Sequence, residues 1–187
     1  MNGPLAARAF MWRAQFWSFF KQYRRAIDDY RAILALEPRR VEVLRRVGFL
    51  YAEVGEPARA IEALAEAVRF APDDADTRFN LGFLYHQRGD LDRAVVEFGE
   101  AIRLKPTLDR AWYGLGVIYL RRGDLAAAIE HLEQAAKQQY FNPHAGHELA
   151  IAYHRAGEQA KAVAEQKRVD GYDPKMGARI AHDIGLR

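Results

Sequence analysis

One skeleton of residues recurs along this chain at a fixed interval of 34 positions. Residues 75–108 show it most fully, with Leu81-Gly82, Tyr85, Gly89, Ala94, Phe98, Ala101 and Pro106. One interval later stand Leu115-Gly116, Tyr119, Gly123, Ala128, Leu132 and Ala135. One interval earlier stand Val47-Gly48, Tyr51, Gly55, Ala60, Leu64, Ala67 and Pro72. A repeat of this length cannot bury its apolar face alone, so it must stack on copies of itself. That requirement excludes most single-core folds.

Each repeat reads as two helices. In residues 75–88 apolar side chains recur at helical spacing, and in 91–104 Leu91, Ala94, Val95, Phe98, Ala101 and Ile102 form one stripe. Gly89-Asp90 breaks the chain between the two helices, and Pro106 closes the second. Gly82 and Ala94 are both small, so the helix axes are expected to approach closely there, with Tyr85 and Phe98 on either side.

Composition removes several functions. Cysteine is absent from the 187 residues, which excludes disulfides and thiol chemistry and fits a reducing, cytoplasmic setting. Apolar runs fall well short of the roughly 20 residues of a membrane span. Arg8 and Arg13 interrupt the apolar start, against a signal peptide. No glycine-rich phosphate loop, zinc-protease motif or nucleophile elbow occurs, so neither catalysis nor a cofactor is expected. Asp73, Asp74 and Asp76 read as helix capping. Net charge is +3, but residues 1–40 alone carry +5, a basic end suited to an acidic partner or an anionic surface.

The skeleton is similar to the tetratricopeptide repeat, with Trp112, Leu115-Gly116, Tyr119, Ala128, Leu132 and Ala135 carrying the resemblance. It covers five units, 7–40, 41–74, 75–108, 109–142 and 143–176, between a short frayed lead (1–6) and a capping helix (177–187). The resemblance implies an all-α fold, a right-handed α-solenoid of antiparallel helix pairs. It also implies a non-catalytic scaffold or adaptor, whose first helices line a concave groove for a peptide or helix of another protein.

The groove residues so implied are Arg45 and Phe49; Phe79, Asn80, Phe83 and His86; Arg110, Tyr113, Val117 and Arg121; and His144, His147 and His154. Aromatic rings rimmed by arginines make a sensible peptide anchor. Their mixed charge does not point to nucleic acid. Chaperone-binding members of the family hold a ligand carboxylate with basic and asparagine side chains. Arg45, Asn80 and Arg110 match those places, but Phe49 and Gly114 replace two other members of the clamp. The three histidines share one helical face, yet positions seven apart lie about 10.5 Å apart along a helix, so no metal site is expected.

The first unit departs from the pattern, with Arg13 where the other units have an aliphatic residue and Lys21 where they have glycine. The fifth departs too, with Gln166 in place of a large apolar residue. In the first unit Trp12, Phe16, Phe19 and Tyr23 fall within about 60° on a helical wheel, while Phe10, Ala14 and Trp17 point the other way. A preceding pair would cover such a face in an interior unit. Here it is expected to dock on another copy, a partner helix or a membrane surface helped by nearby arginines.

Overall fold

The structure, a computed structural model, describes residues 3–186. Among them are eleven helices and no strand, in two compact units, Met1–Asp90 and Leu91–Arg187.

The first unit holds α1 (Gly3–Phe19), α2 (Tyr23–Leu36), α3 (Val41–Glu53), α4 (Pro57–Phe70) and α5 (Ala75–Gln87). Each packs on its neighbours in sequence. Turns of a few residues join them, so successive helices run back along one another. One pattern of hydrogen bonds closes the turns inside the pairs. The Glu56 N–H reaches the Tyr51 carbonyl at 2.8 Å, and the Gln22 N–H reaches the Trp17 carbonyl at 2.8 Å. This turn needs a left-handed residue, supplied by Gly55 at φ 76° and in the first turn by Lys21 at φ 56°. Lys21 thus keeps the geometry of a glycine without the glycine, at a steric cost of about 1 kcal/mol.

Arg13 has a comparable explanation. Its guanidinium grips the buried Asp29 of α2 with two hydrogen bonds, of 2.8 and 2.6 Å. A charged pair therefore stands where the other units make an aliphatic contact.

The helix crossings rest on small residues. A Cβ placed on Gly48 of α3 would lie 2.7 Å from the Leu64 side chain of α4. The second unit repeats this, with Gly116 facing Leu132 at 2.5 Å. Ala14 and Ala150 occupy the same place in their pairs with no exposed surface. Gly82 is likewise buried in α5.

The second unit holds α6 (Leu91–Leu104), α7 (Asp109–Arg122), α8 (Leu125–Gln138), α9 (Pro143–Arg155), α10 (Gln159–Asp170) and α11 (Pro174–Asp183). Its core runs from Leu120 through Leu132, Leu149 and Val169 to Ile180 and Ile184. The last helix packs on α10 and α9. Two polar side chains secure it, one of them the departure at Gln166. The Gln166 amide donates to the Gly177 carbonyl at 3.2 Å, and His147 Nε2 stands 2.9 Å from an Asp183 carboxylate oxygen.

Both chain ends differ from the sequence expectation. Helix α1 already includes residues 3–6, read as a frayed lead, and residues 1 and 2 lie outside the described residues. The capping helix, expected over 177–187, begins at Pro174, because proline suits a first helical position and Asp173 caps the Met176 N–H at 3.0 Å. It ends at Asp183, and Arg187 also lies outside the described residues.

Two outcomes are expected. Gly116→Leu forces α7 away from Leu132 and lowers the free energy of unfolding by roughly 1–3 kcal/mol, read from urea titration of helical signal. The His147–Asp183 contact makes the docking of α11 pH-dependent. Glu148 and then Asp183 raise the His147 pKa above 6.5, against the opposing effects of burial and Arg179. A folded-state value above the unfolded one stabilises fully below pH 6.5 and fades as pH rises through the folded value. Asp183, held below 3.8 by His147 and His182, stabilises fully above 3.8 and loses its contribution only in stronger acid. The melting temperature of the wild type should therefore fall more than that of His147→Gln between pH 6 and pH 8, about the ordinary histidine range.

Candidate functional site

In the first unit, α3 and α5 present their outward stripes beside the α1–α2 turn. Tyr23, Tyr30, Arg45, Phe49, Thr77 and Asn80 are among the residues that line a concavity of about 520 Å³ there. Arg45 and Phe49 are one helical turn apart on α3, so they project side by side. Phe49 is 58% exposed, far more than packing against its own helix pair would leave.

The rim charges are largely matched. Arg45 meets Asp74 at 2.5 Å, and Arg46 meets Glu42 at 3.2 Å. Asp74 also caps α5 through the Thr77 N–H and hydroxyl, at 3.1 and 2.8 Å. Burial alone would raise the Asp74 pKa, but Thr77 and Arg45 outweigh it and hold the carboxyl below 3.8. Arg45 is therefore held in place and ready to share its guanidinium. The floor includes Tyr30, which is 1% exposed and whose hydroxyl has no hydrogen-bond partner. Such a group is costly unless a ligand or water meets it.

Other sequence-derived residues divide. Phe83 is 45% exposed, but Phe79 is buried, its ring stacked on Phe83 at 6.3 Å. Phe79 is thus a core residue, in contrast to its expected place on an open groove. His86 is half-buried.

In the second unit, Arg110, Arg121, His144 and His154 are exposed, and Val117 is half-buried. Tyr113 packs partly against the core, and that burial, with the charge of Glu148, raises its pKa. The histidines have separate fates. His154 Nδ1 stands 2.7 Å from the Gln159 side chain. His147 is buried between Glu148 and Asp183, which corrects its expected place on an open wall. The last helix covers it, and the periodicity of α9 alone does not show that cover. Among the described residues no three His, Cys, Asp or Glu side chains gather as a metal-ligating set. Gly114, where a carboxylate clamp needs a basic side chain, lies against the buried Phe98 ring, which any side chain there would have to displace.

The aromatic face of α1 is open. Trp12, Phe16 and Phe19 are 73, 53 and 82% exposed. Tyr23 does not belong to that face. Helix α1 ends at Phe19, and Tyr23 begins α2 and lines the concavity instead. Leu5 and Phe20, both more than half exposed, take its place in the stripe. Their signal was present in the sequence as two more apolar residues near the same helical face.

Models of the tetratricopeptide repeat match residues 20–75, 63–96, 84–123, 109–141 and 143–165. No curated protein sequence matches the chain. Several solved structures resemble it. A crystal structure of MamA protein aligns with a TM-score of 0.85 at 25% identity, over 91% of this chain and 93% of that one. MamA 41-end from Desulfovibrio magneticus RS-1 gives 0.83 at 17%, over 91% and 96%. YrrB, described as a TPR protein with an unusual peptide-binding site, gives 0.80 at 16%, over 92% and 90%. With its helix pairs in 34-residue phase and repeat models matching along its length, the chain belongs to the tetratricopeptide repeat family.

Proposed function

We propose that this chain is a non-catalytic, cytoplasmic scaffold that captures a segment of another protein. The concavity of the first unit is the observation that carries this reading. It offers an exposed phenylalanine, an arginine anchored at its rim, an exposed Asn80 and an unsatisfied tyrosine hydroxyl within one small space. An extended peptide supplies what these groups lack: an apolar side chain for Phe49 and polar main-chain groups for Asn80 and Arg45. Since the rim charges are already paired, the best ligand is a largely neutral segment with at most one carboxylate for Arg45. YrrB has a peptide-binding site by its own description, which favours the same use of this fold here. In the second unit Arg110, Tyr113, Val117, Arg121, His144 and His154 present a further face for the same class of ligand.

A second reading rests on the open rings of α1. The scaffold also docks through that helix, on a surface separate from the concavity.

The test is a selection from a displayed random-peptide library, followed by titration of the enriched peptides. Phe49→Ala and Arg45→Ala should each weaken them by about tenfold with unchanged helical signal. Trp12→Glu should leave their affinity intact, because Trp12 does not line the concavity. Enriched peptides that bind Phe49→Ala as tightly as the wild type would remove the concavity from the argument. Equal loss with Trp12→Glu would show that the two surfaces act as one.

A further inference from the structure

Helix α1 carries no acidic residue in its 17 positions. It seats Ala7 and Ala14, both fully buried, on the side toward α2. The opposite side holds Leu5, Trp12, Phe16 and Phe19, and Phe20 continues it just past the helix end, its N–H on the Phe16 carbonyl; all five are more than half exposed and fall within about 100° of the helix circumference. The rings touch one another, with Phe16–Phe20 centroids 4.8 Å apart and Phe19–Phe20 5.2 Å apart. Arg8 and Arg13 border this stripe on its two sides, and Lys21 and Arg25 follow near its end. Arg13 is engaged with Asp29, and Arg25 lies over the Trp17 ring at 4.8 Å. Arg8 and Lys21 are exposed.

The charge decides what fits this surface. A second copy of α1 would bring the same rings but also the same basic residues and no carboxylate, so the two faces would meet with like charges. An anionic lipid surface supplies what α1 lacks. Its headgroups pair with Arg8 and Lys21, and its acyl boundary accepts a band of tryptophan and phenylalanine. No described helix is long and apolar enough to cross a membrane, so the helix would lie along the surface.

We propose that α1 is a membrane-surface anchor, lying in the headgroup region of an anionic bilayer with Leu5, Trp12, Phe16, Phe19 and Phe20 toward the acyl chains. This rests on the reading of α1 as a docking surface and names its partner. None of these five residues lines the concavity, which is left free for its peptide.

The experiment mixes the whole chain with vesicles of phosphatidylcholine alone or with added phosphatidylglycerol, and follows flotation and quenching of tryptophan emission by brominated acyl chains. The wild type should bind the anionic vesicles about tenfold or more tightly than the neutral ones, and release as salt rises. Phe16→Glu/Phe19→Glu should lose that binding by at least about tenfold while keeping its helical signal. Trp12→Phe should still float but lose most of the quenching. Phe49→Ala should float like the wild type. Equal binding by the wild type and Phe16→Glu/Phe19→Glu, or no flotation of the wild type, overturns the proposal. In the second case, sedimentation velocity without lipid separates the two readings. Self-association that the glutamates abolish leaves α1 as a docking surface for a second copy. A monomer at every concentration ends both.

Discussion

The close approach of two helices over a residue with almost no side chain is the contact on which everything else rests. Gly48 lies under Leu64 and Gly116 under Leu132, each closer than an ordinary Cβ would allow. Ala14 and Ala150 hold the same place at the two ends of the series. With the backbones that near, the leucine or tyrosine opposite seats fully, and the apolar stripe of the second helix disappears from solvent. Each pair then offers its remaining apolar edge to the next pair, which is how a repeat too small to fold alone becomes stable. On the outward stripe of the first helices, Phe49 and Phe83 stay exposed, whereas Phe79 and His147 are buried.

Departures from the repeat mark the ends of the chain and have physical counterparts there. Arg13 replaces an aliphatic contact because Asp29 stands buried opposite it. Lys21 adopts the left-handed conformation that glycine supplies in later turns. In the last pair, Gln166 gives up the apolar place to reach the Gly177 carbonyl, and His147 reaches Asp183. Tyr140 stands where Pro106 closes the third unit; its ring is tilted against Tyr172 with Arg168 over it, and Phe141 meets Tyr172 edge to face. Residues that look like errors in the pattern therefore make specific polar and ring contacts of their own, around α1 and around α11.

Two chemically different surfaces result. The concavity of the first unit is a balanced mixture of ring, amide and paired charge, which suits selective capture of a peptide. The outer side of α1 is aromatic and basic with no acid, which suits a broad anionic surface. The rings on α1 lie opposite Ala7 and Ala14, so the helix serves its pair and its outer face at once. An interior first helix such as α3 instead buries Val43, Leu44 and Val47 and keeps its open face to a single phenylalanine.

The 34-residue recurrence by itself determined the helices, their turns and the small residues at the crossings, because local periodicity and glycine chemistry act over a few positions. The unmatched aromatics of the first helix were equally plain, since a helical wheel needs no knowledge of neighbours. Only the tertiary structure decided which edge residues were covered. Phe79 and His147 have the spacing of open groove residues, yet both are buried, His147 by a helix 36 residues further along the chain. Tyr23 shares the helical phase of Trp12, yet a turn at Lys21 carries it into the concavity. Burial at an element's edge depends on what packs beside it, and that is a property of the assembled helices that no single stretch of sequence contains.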